Sequence, residues 1–357
     1  MNVVFRVDAS LQMGIGHVMR CLVLAQALKE NGAKVEFICR NYKGNLINKI
    51  SSYKFLVHKL EFFSAEDSDD DNLTDSYWLG VSEEQDLEDC INVIKERRID
   101  WLIVDHYLLG EKWQKGLKPY YKKLLVIDDL ADRRHYCDVL LDQTFGRKQD
   151  DYSAYTPKDC LLLLGSKYSL LRPEFHKWRS YSLKRRNQPE FRQLLISMGG
   201  TDFKNVTENI LDELKFCNLP KDINITVIMG ESAPNLESVK SKIHALPFKS
   251  NIKVDVDNLA EIMANADIAI GAAGSTSWER CCLGLPTIQI VLAKNQINIA
   301  ESLAKINAIR LLQDVKDLPR TISDARNWMI DVSNISRKVS DGLGINRVMS
   351  IIMDLKL

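Results

Sequence analysis

Two hydrophobic patterns alternate along the N-terminal half of the chain. Short apolar runs end in polar or glycine-rich turns, and stretches with apolar residues at helical spacing follow them. The runs predict strands at Val3–Val7, Lys34–Arg40, Trp101–Asp105 and Lys123–Asp128, and the stretches predict helices over 17–31 and 45–52. Strands that alternate with helices predict parallel βαβ units.

The same alternation starts again at Gln193. Strands are predicted at Leu194–Ser197, Asn224–Met229, Ile268–Gly271 and Thr287–Val291, and helices over 205–216, 259–265 and 276–283. The predicted fold class is α/β of the GT-B type: two Rossmann-like domains whose parallel sheets face each other across a cleft. The expected boundaries are an N-terminal domain over 1–172, a linker over 173–190, a C-terminal domain over 191–340 and a C-terminal helix over 341–357.

Composition narrows the range of partners. The 357 residues include 48 Lys and Arg and 48 Asp and Glu, so no net charge draws the chain to nucleic acid or to an anionic membrane. The first residues form a predicted strand, and no apolar run approaches the ~20 residues of a membrane span. The eight cysteines form no C-x-x-C pair, which favours reduced thiols. We expect a cytoplasmic monomer that binds a small molecule.

Acidic residues cluster in two places, and neither predicts a metal site. Residues 64–89 are strongly acidic, with aspartates at 67 and 69–71, and such a run is typical of a solvated loop. Asp128, Asp129 and Asp132 follow a predicted strand, where capping or hydrogen bonding is the expected role. We therefore expect neither a metal ion nor a cofactor.

A glycine-rich turn follows the first predicted strand. Gly14 and Gly16 let the backbone approach a ligand, and Arg20 lies one turn into the helix that begins there. A dinucleotide site is the competing interpretation, but Met19 occupies the third glycine position of that motif. His17 stands at the mouth of this loop, where an imidazole can exchange protons near neutral pH; a helix cap or a packed imidazole is the alternative.

Two further turns in the C-terminal half carry candidate phosphate-binding groups. Gly199 and Gly200 follow a predicted strand, although a plain βα turn would also explain them. In the second turn Gly274, Ser275 and Thr276 open a predicted helix and offer amides and hydroxyls to phosphate oxygens. One turn further on, Glu279 can accept hydrogen bonds from both hydroxyls of a ribose. The pattern indicates a nucleotide with a diphosphate.

Residues 254–296 resemble the donor-binding half of MurG-type GT-B glycosyltransferases. The resemblance implies a UDP-sugar as ligand, with a backbone group at Val256 meeting the uracil. The whole chain is similar to one branch of this superfamily, the UDP-2,4-diacetamido-2,4,6-trideoxy-β-L-altropyranose hydrolases of pseudaminic acid biosynthesis. The matching motifs are RVDAS and GIGHVMRCLVLA within 6–25, VDHY at 104–107, IDDLADRRHYCDVLLDQ at 127–143, GSKYSLLRPEF at 165–175, SMGGTD at 197–202, GAAGSTSWERCCLGLP at 271–286 and KNQ at 294–296.

This resemblance implies release of UDP by attack of water on the anomeric carbon. His17 fits the general base or the group that positions the water, and Tyr107 and Asn295 match positions expected near the sugar, with Gln296 beside them. Aromatic packing at a cleft rim remains an alternative for Tyr107. Three other functions stay open: a UDP-sugar glycosyltransferase with the same donor site, a hydrolysing 2-epimerase and a catalytically silent nucleotide-sugar sensor.

Overall fold

The computed structural model describes residues 1–62 and 79–355. These residues divide into two compact units. The first unit consists of Met1–Leu170 together with Ile345–Leu357, and the second consists of Leu171–Gly344. Apart from its first residue, the helix Gly344–Asp354 therefore belongs to the first unit and not to a separate C-terminal element.

A seven-stranded parallel sheet forms the centre of the first unit, in the order β3-β2-β1-β4-β5-β6-β7. Its strands are β1 (Asn2–Val7), β2 (Lys34–Arg40), β3 (Leu56–Leu60), β4 (Ile99–Asp105), β5 (Tyr121–Ile127), β6 (Val139–Asp142) and β7 (Leu161–Leu164). The helices between them are α1 (Gly16–Glu30), α2 (Ile47–Ser52), α3 (Glu83–Ile94) and α4 (Glu111–Gly116). The central strands are mostly apolar because helices cover both faces of the sheet, and buried charged residues such as Arg6 and Asp105 lie near their carboxyl ends.

The second unit has a six-stranded parallel sheet, in the order β10-β9-β8-β11-β12-β13. Its strands are β8 (Gln193–Ser197), β9 (Asn224–Met229), β10 (Lys249–Val254), β11 (Ile268–Ala272), β12 (Thr287–Ile290) and β13 (Arg310–Leu312). Its helices are α5 (Pro173–Arg185), α6 (Val206–Leu214), α7 (Leu236–His244), α8 (Leu259–Asn265), α9 (Thr276–Cys282), α10 (Ile297–Lys305), α11 (Leu318–Ser323) and α12 (Ala325–Ser336). Loops that follow the carboxyl ends of the strands share one edge of this sheet.

The segment expected to be a linker is largely a packed helix. Pro173 is the first residue of α5, a position that suits its fixed φ and missing N–H. Within the second unit, Arg179 NH2 donates to the carbonyl of Arg337 at 2.7 Å, and Ser182 Oγ donates to the carbonyl of Leu283 at 2.7 Å. These bonds make α5 part of the second unit, so the linker prediction differs from the structure over these residues.

The acidic stretch also differs from its prediction where the structure describes it. The aspartates at 67 and 69–71 lie outside the described residues. Asp86, however, lies on α3, is buried and pairs with Arg6 and Arg40. This part of the stretch is a helix with a buried face, because two arginines neutralise the carboxylate.

Three further observations concern cysteines, metals and membranes. All eight cysteines are free thiols, and the sulfurs of Cys137 and Cys160 lie 3.6 Å apart. Within residues 1–62 and 79–355, no group of three or more His, Cys, Asp or Glu side chains is placed to hold a metal ion. In the same ranges, no helix combines the length and the apolar character needed to cross a membrane.

Candidate functional site

The glycine turn of the first unit lies between β1 and α1. Gly14 has φ of 76°, a conformation that favours glycine, and its N–H donates to the carbonyl of Ser10 at 2.9 Å. Helix α1 begins at Gly16, so His17 and Arg20 both lie in its first turns. This local geometry places both side chains at the carboxyl edge of the first sheet.

His17 is paired with a carboxylate from the neighbouring strand. Its Nδ1 lies 2.6 Å from Oδ1 of Asp105, the last residue of β4, which pairs with β1. Arg20 holds the same carboxylate with two hydrogen bonds, Nε to Oδ2 at 2.6 Å and NH2 to Oδ1 at 2.7 Å. Burial opposes the ionised form of Asp105, but the charge of Arg20 and the hydrogen bonds from Arg20 and His17 outweigh it and keep the Asp105 pKa well below its ordinary value. The carboxylate therefore stays ionised and fixes the ring of His17.

Two other residues complete this cluster. The ring of Tyr107 meets the ring of His17 edge-on, with 4.6 Å between the centroids. Arg20 NH1 donates to Oδ2 of Asp129 at 3.0 Å, so Arg20 joins the ends of β4 and β5. The sequence analysis selected His17, Arg20 and Tyr107, and the structure brings all three together.

A buried ion network supports the end of β1. Arg6 NH1 lies 2.7 Å from Asp8 Oδ2, and Arg6 NH2 lies 2.6 Å from Asp86 Oδ2. Arg40 NH2 contacts the same oxygen of Asp86 at 2.7 Å, while the Arg40 backbone N–H donates to Asp8 Oδ1 at 2.7 Å. These bonds fix the strand end from which the loop to His17 departs.

In the second unit, the loop after β8 is packed against the end of β9. Gly199 has φ of 90°, and the carbonyl of Gly200 accepts from Gly230 N–H at 3.1 Å. A Cβ atom at Gly230 would overlap that carbonyl, so only glycine fits there. Val256 follows β10, the next strand of the sheet, and is half-buried.

The loops after β11 and β12 lie side by side. Gly274 has φ of 145°, and its N–H donates to Ser277 Oγ at 3.3 Å, so this amide already has a partner within the loop. Gln296 Oε1 accepts from the N–H of Leu292 at 2.9 Å, and its Nε2 would lie 3.9 Å from a Cβ at Gly274. Asn295 is exposed in the same short turn, Lys294–Gln296.

Glu279, in the first turn of α9, has a carboxylate oxygen that no described residue uses. Its Oε2 is enclosed by protein and has no hydrogen-bond partner among the residues that the structure describes. Burial raises the pKa of this carboxyl to about 7, although the charges of Arg172 and Arg280 oppose the rise. An enclosed acceptor without a donor fits a ligand that brings hydroxyl groups to it.

The predicted residues therefore fall into two sets, one in each unit. Gly14, Gly16, His17, Arg20 and Tyr107 belong to the first. The second comprises Gly199, Gly200, Val256, Gly274, Ser275, Thr276, Glu279, Asn295 and Gln296, all in loops or helices that follow strand ends of the second sheet.

Sequence reasoning missed Asp105 and Gly230. A signal for Asp105 was available: an acid ends a buried strand directly before His106 and Tyr107, within the VDHY motif.

A match to a domain family and comparisons with solved structures identify the fold. Residues 194–329 match the Glycosyltransferase family 28 C-terminal domain. The chain is similar to MurG of Acinetobacter baumannii, with a TM-score of 0.69 at 15% identity over 99% of each chain. It is also similar to a UDP-GlcNAc 2-epimerase of Neisseria meningitidis, with a TM-score of 0.60 at 11% identity over 99% of this chain and 100% of that one. The fold is α/β of the GT-B type, which confirms the predicted fold class.

Comparisons with curated sequences define the family. The chain is 31% identical to the UDP-2,4-diacetamido-2,4,6-trideoxy-β-L-altropyranose hydrolase of Campylobacter jejuni over 85% of this chain and 97% of the relative. It is 24% identical to a spore coat polysaccharide biosynthesis protein of Bacillus subtilis over 99% of this chain and 98% of that one. The chain belongs to the family of the Campylobacter jejuni hydrolase, as the sequence motifs implied.

Proposed function

We propose that this protein hydrolyses UDP-2,4-diacetamido-2,4,6-trideoxy-β-L-altropyranose to UDP and 2,4-diacetamido-2,4,6-trideoxy-L-altrose, a reaction of pseudaminic acid biosynthesis. The observation that carries the proposal is the 2.6 Å contact between His17 Nδ1 and Asp105, in a chain that shares its family with a hydrolase of this substrate. A histidine held in this way is a base for water.

The proposed step is attack of water on the anomeric carbon. The bond from the water oxygen to this carbon forms while the bond to the β-phosphate oxygen of UDP breaks. His17 Nδ1–H donates to Asp105, which leaves Nε2 to take the proton of the water. Arg20 holds Asp105 from its other side, and Tyr107 limits the tilt of the imidazole ring. The electron pair of the broken bond leaves with UDP.

The residues of the second unit are proposed to hold the nucleotide. Glu279 accepts hydrogen bonds from the ribose hydroxyls, and a backbone group at Val256 meets the uracil. The turns at 199–200 and 274–276 supply amides and hydroxyls to the diphosphate, which needs its charge met as it leaves. Asn295 and Gln296 lie on the neighbouring loop and are proposed to contact the sugar.

A glycosyltransferase reaction is the second candidate, because residues 194–329 match a glycosyltransferase domain. The two reactions differ in their need for an acceptor. Incubation of the purified protein with the UDP-sugar alone should release UDP and the free sugar in equal amounts, and we expect this turnover to persist in EDTA. UDP release that requires an added acceptor alcohol would favour the transferase instead.

We expect Glu279→Ala to weaken UDP affinity by about 1 to 3 kcal/mol, because the ribose hydroxyls lose a charged acceptor. Calorimetry with UDP measures the change. The control is Glu301→Ala, an exposed glutamate of the same unit, which should bind as the unaltered protein does. Unchanged affinity in a folded Glu279→Ala protein would exclude Glu279 from the nucleotide site.

The same carboxyl predicts how UDP affinity depends on pH. Without ligand its pKa is raised to about 7, so below that pH it is protonated and must lose a proton to accept from both hydroxyls. UDP affinity should therefore rise between about pH 6 and about pH 8, and this rise should be smaller in Glu279→Gln than in the unaltered protein.

A further inference from the structure

A buried arginine lies directly behind the turn at 274–276. Arg280, on α9, is 2% exposed. Its NH2 donates to the carbonyl of Ala272 at 2.7 Å, and its NH1 donates to Thr276 Oγ1 at 3.1 Å. NH2 also lies 3.3 Å from Ser277 Oγ, the oxygen that accepts from the N–H of Gly274. The guanidinium therefore contacts both ends of the turn.

The charge of Glu279 acts on this guanidinium only at a distance. In the described part of the chain no carboxylate forms a salt bridge with Arg280, and its Nε has no hydrogen-bond partner. Arg6 and Arg40, which are buried in the first unit, differ from Arg280 because both contact the carboxylate of Asp86. Burying a cation without an anion is costly, and burial lowers the pKa of Arg280 to about 10.

The neighbouring strand is built around this side chain. A Cβ atom at Gly271, on β11, would overlap the Arg280 guanidinium, so any other residue at 271 would displace it. Strand β11 lies within the sheet, between β8 and β12, where glycine weakens packing. A glycine at 271 in a central strand therefore makes room for a buried arginine at 280 that has no direct ion pair in the described part of the chain.

Arg280 also determines how the hydroxyl of the turn is used. Because Thr276 Oγ1 accepts from Arg280, its own hydrogen is left to donate to another acceptor. A phosphate oxygen is such an acceptor, and it would bring the negative charge that the guanidinium lacks.

A purely structural role explains another arginine of the same unit better than it explains Arg280. Arg186 is also buried and donates to three backbone carbonyls, those of Leu283, Ala266 and Met263, at 2.9 to 3.0 Å. These carbonyls lie at or just beyond the C-terminal ends of α8 and α9. Arg280 donates to only one backbone carbonyl, so bonds to the backbone do not account for the burial of its charge.

We propose that Arg280 is a positioning residue that supplies the positive charge of the turn at 274–276, and that the diphosphate of the nucleotide is its counter-ion. This inference rests on the proposed nucleotide site, because it names the group that completes that site. It adds a cation to a turn that was selected only for its amides and hydroxyls.

The test compares UDP with uridine, which shares the base and ribose but has no phosphate. Two neutral variants, Arg280→Gln and Arg280→Met, guard against misfolding of either one, and Arg280→Lys keeps the charge. Calorimetry should show UDP affinity lowered about tenfold or more in a neutral variant, with uridine affinity within about twofold of the unaltered protein. Arg280→Lys should keep more of the preference for UDP. Arg186→Met is the matched control and should preserve that preference.

The calorimetry has three results that would contradict the inference. Equal loss of UDP and uridine affinity in the neutral variants would show a structural role and overturn the inference. Unchanged UDP affinity would overturn it as well, while leaving the proposed function intact. Failure of the unaltered protein to bind UDP would instead overturn the proposed function, and the inference with it.

Discussion

Replacement of His17 by Asn should lower turnover by about 100-fold or more and leave UDP affinity unchanged. Asparagine can keep a polar contact to Asp105, but it cannot take a proton from water. The residues proposed to hold UDP belong to the second unit, whereas His17 belongs to the first. Steady-state release of UDP gives the turnover, and calorimetry on the same variant gives the affinity.

A second histidine of the first unit provides the control for this experiment. His58 also contacts a carboxylate, with Nε2 2.8 Å from Glu36 Oε2, but it lies on β3, at the edge of the sheet. His58→Asn should leave turnover near that of the unaltered protein. If His17→Asn turns over normally, His17 is not the base. If it loses UDP binding instead, His17 holds the ligand.

The parts of the fold that could be predicted are those with an unambiguous local pattern. Strands β1, β2 and β9 are largely apolar and mostly buried runs, and their predicted positions agree with the structure to within one residue. Strand β3, LVHKL, mixes charged and apolar residues because it is an edge strand with one side toward solvent. Its sequence carries no pattern that separates it from a loop.

The candidate site was predictable in its glycine turns and not in its pairings. Gly14, Gly199 and Gly274 all have positive φ, which a sequence shows through the glycine itself. The contact between His17 and Asp105 joins residues 88 positions apart and depends on β1 pairing with β4. Such a contact follows from strand order, and strand order is not visible in the periodicity of one chain.

Charge patterning misled the sequence analysis where partners are distant. The acidic stretch was expected to be solvated, yet one of its aspartates is buried because arginines from β1 and β2 reach it. Asp86 also accepts from the indole N–H of Trp113 at 3.1 Å. An acidic run in the sequence shows only its own charge, whereas the burial of one of its carboxylates depends on cations from distant parts of the chain.

Asp86→Asn should therefore lower the free energy of unfolding by about 3 to 5 kcal/mol, the usual cost of removing one partner from a buried ion pair. The change leaves Arg6 and Arg40 buried with one carboxylate fewer between them. Urea unfolding at neutral pH, followed by far-ultraviolet circular dichroism, measures the loss. Because the two units can unfold separately, the free energies are compared for the reversible transition that belongs to the first unit.

Asp89→Asn is the matched control, because Asp89 lies on the same helix and also contacts Arg40, at 2.9 Å, but its side chain is 25% exposed. We expect it to cost about 1 kcal/mol or less. Burial alone would raise the Asp86 pKa, but Arg6 and Arg40 hold it below its ordinary value, so its stabilisation is complete above that value and is lost in acid. The difference in the free energy of unfolding between the unaltered protein and Asp86→Asn should accordingly decrease below about pH 4. Equal losses of unfolding free energy in the two variants, or a difference between Asp86→Asn and the unaltered protein that does not change with pH, would show that the Asp86 ion pairs do not stabilise the first unit.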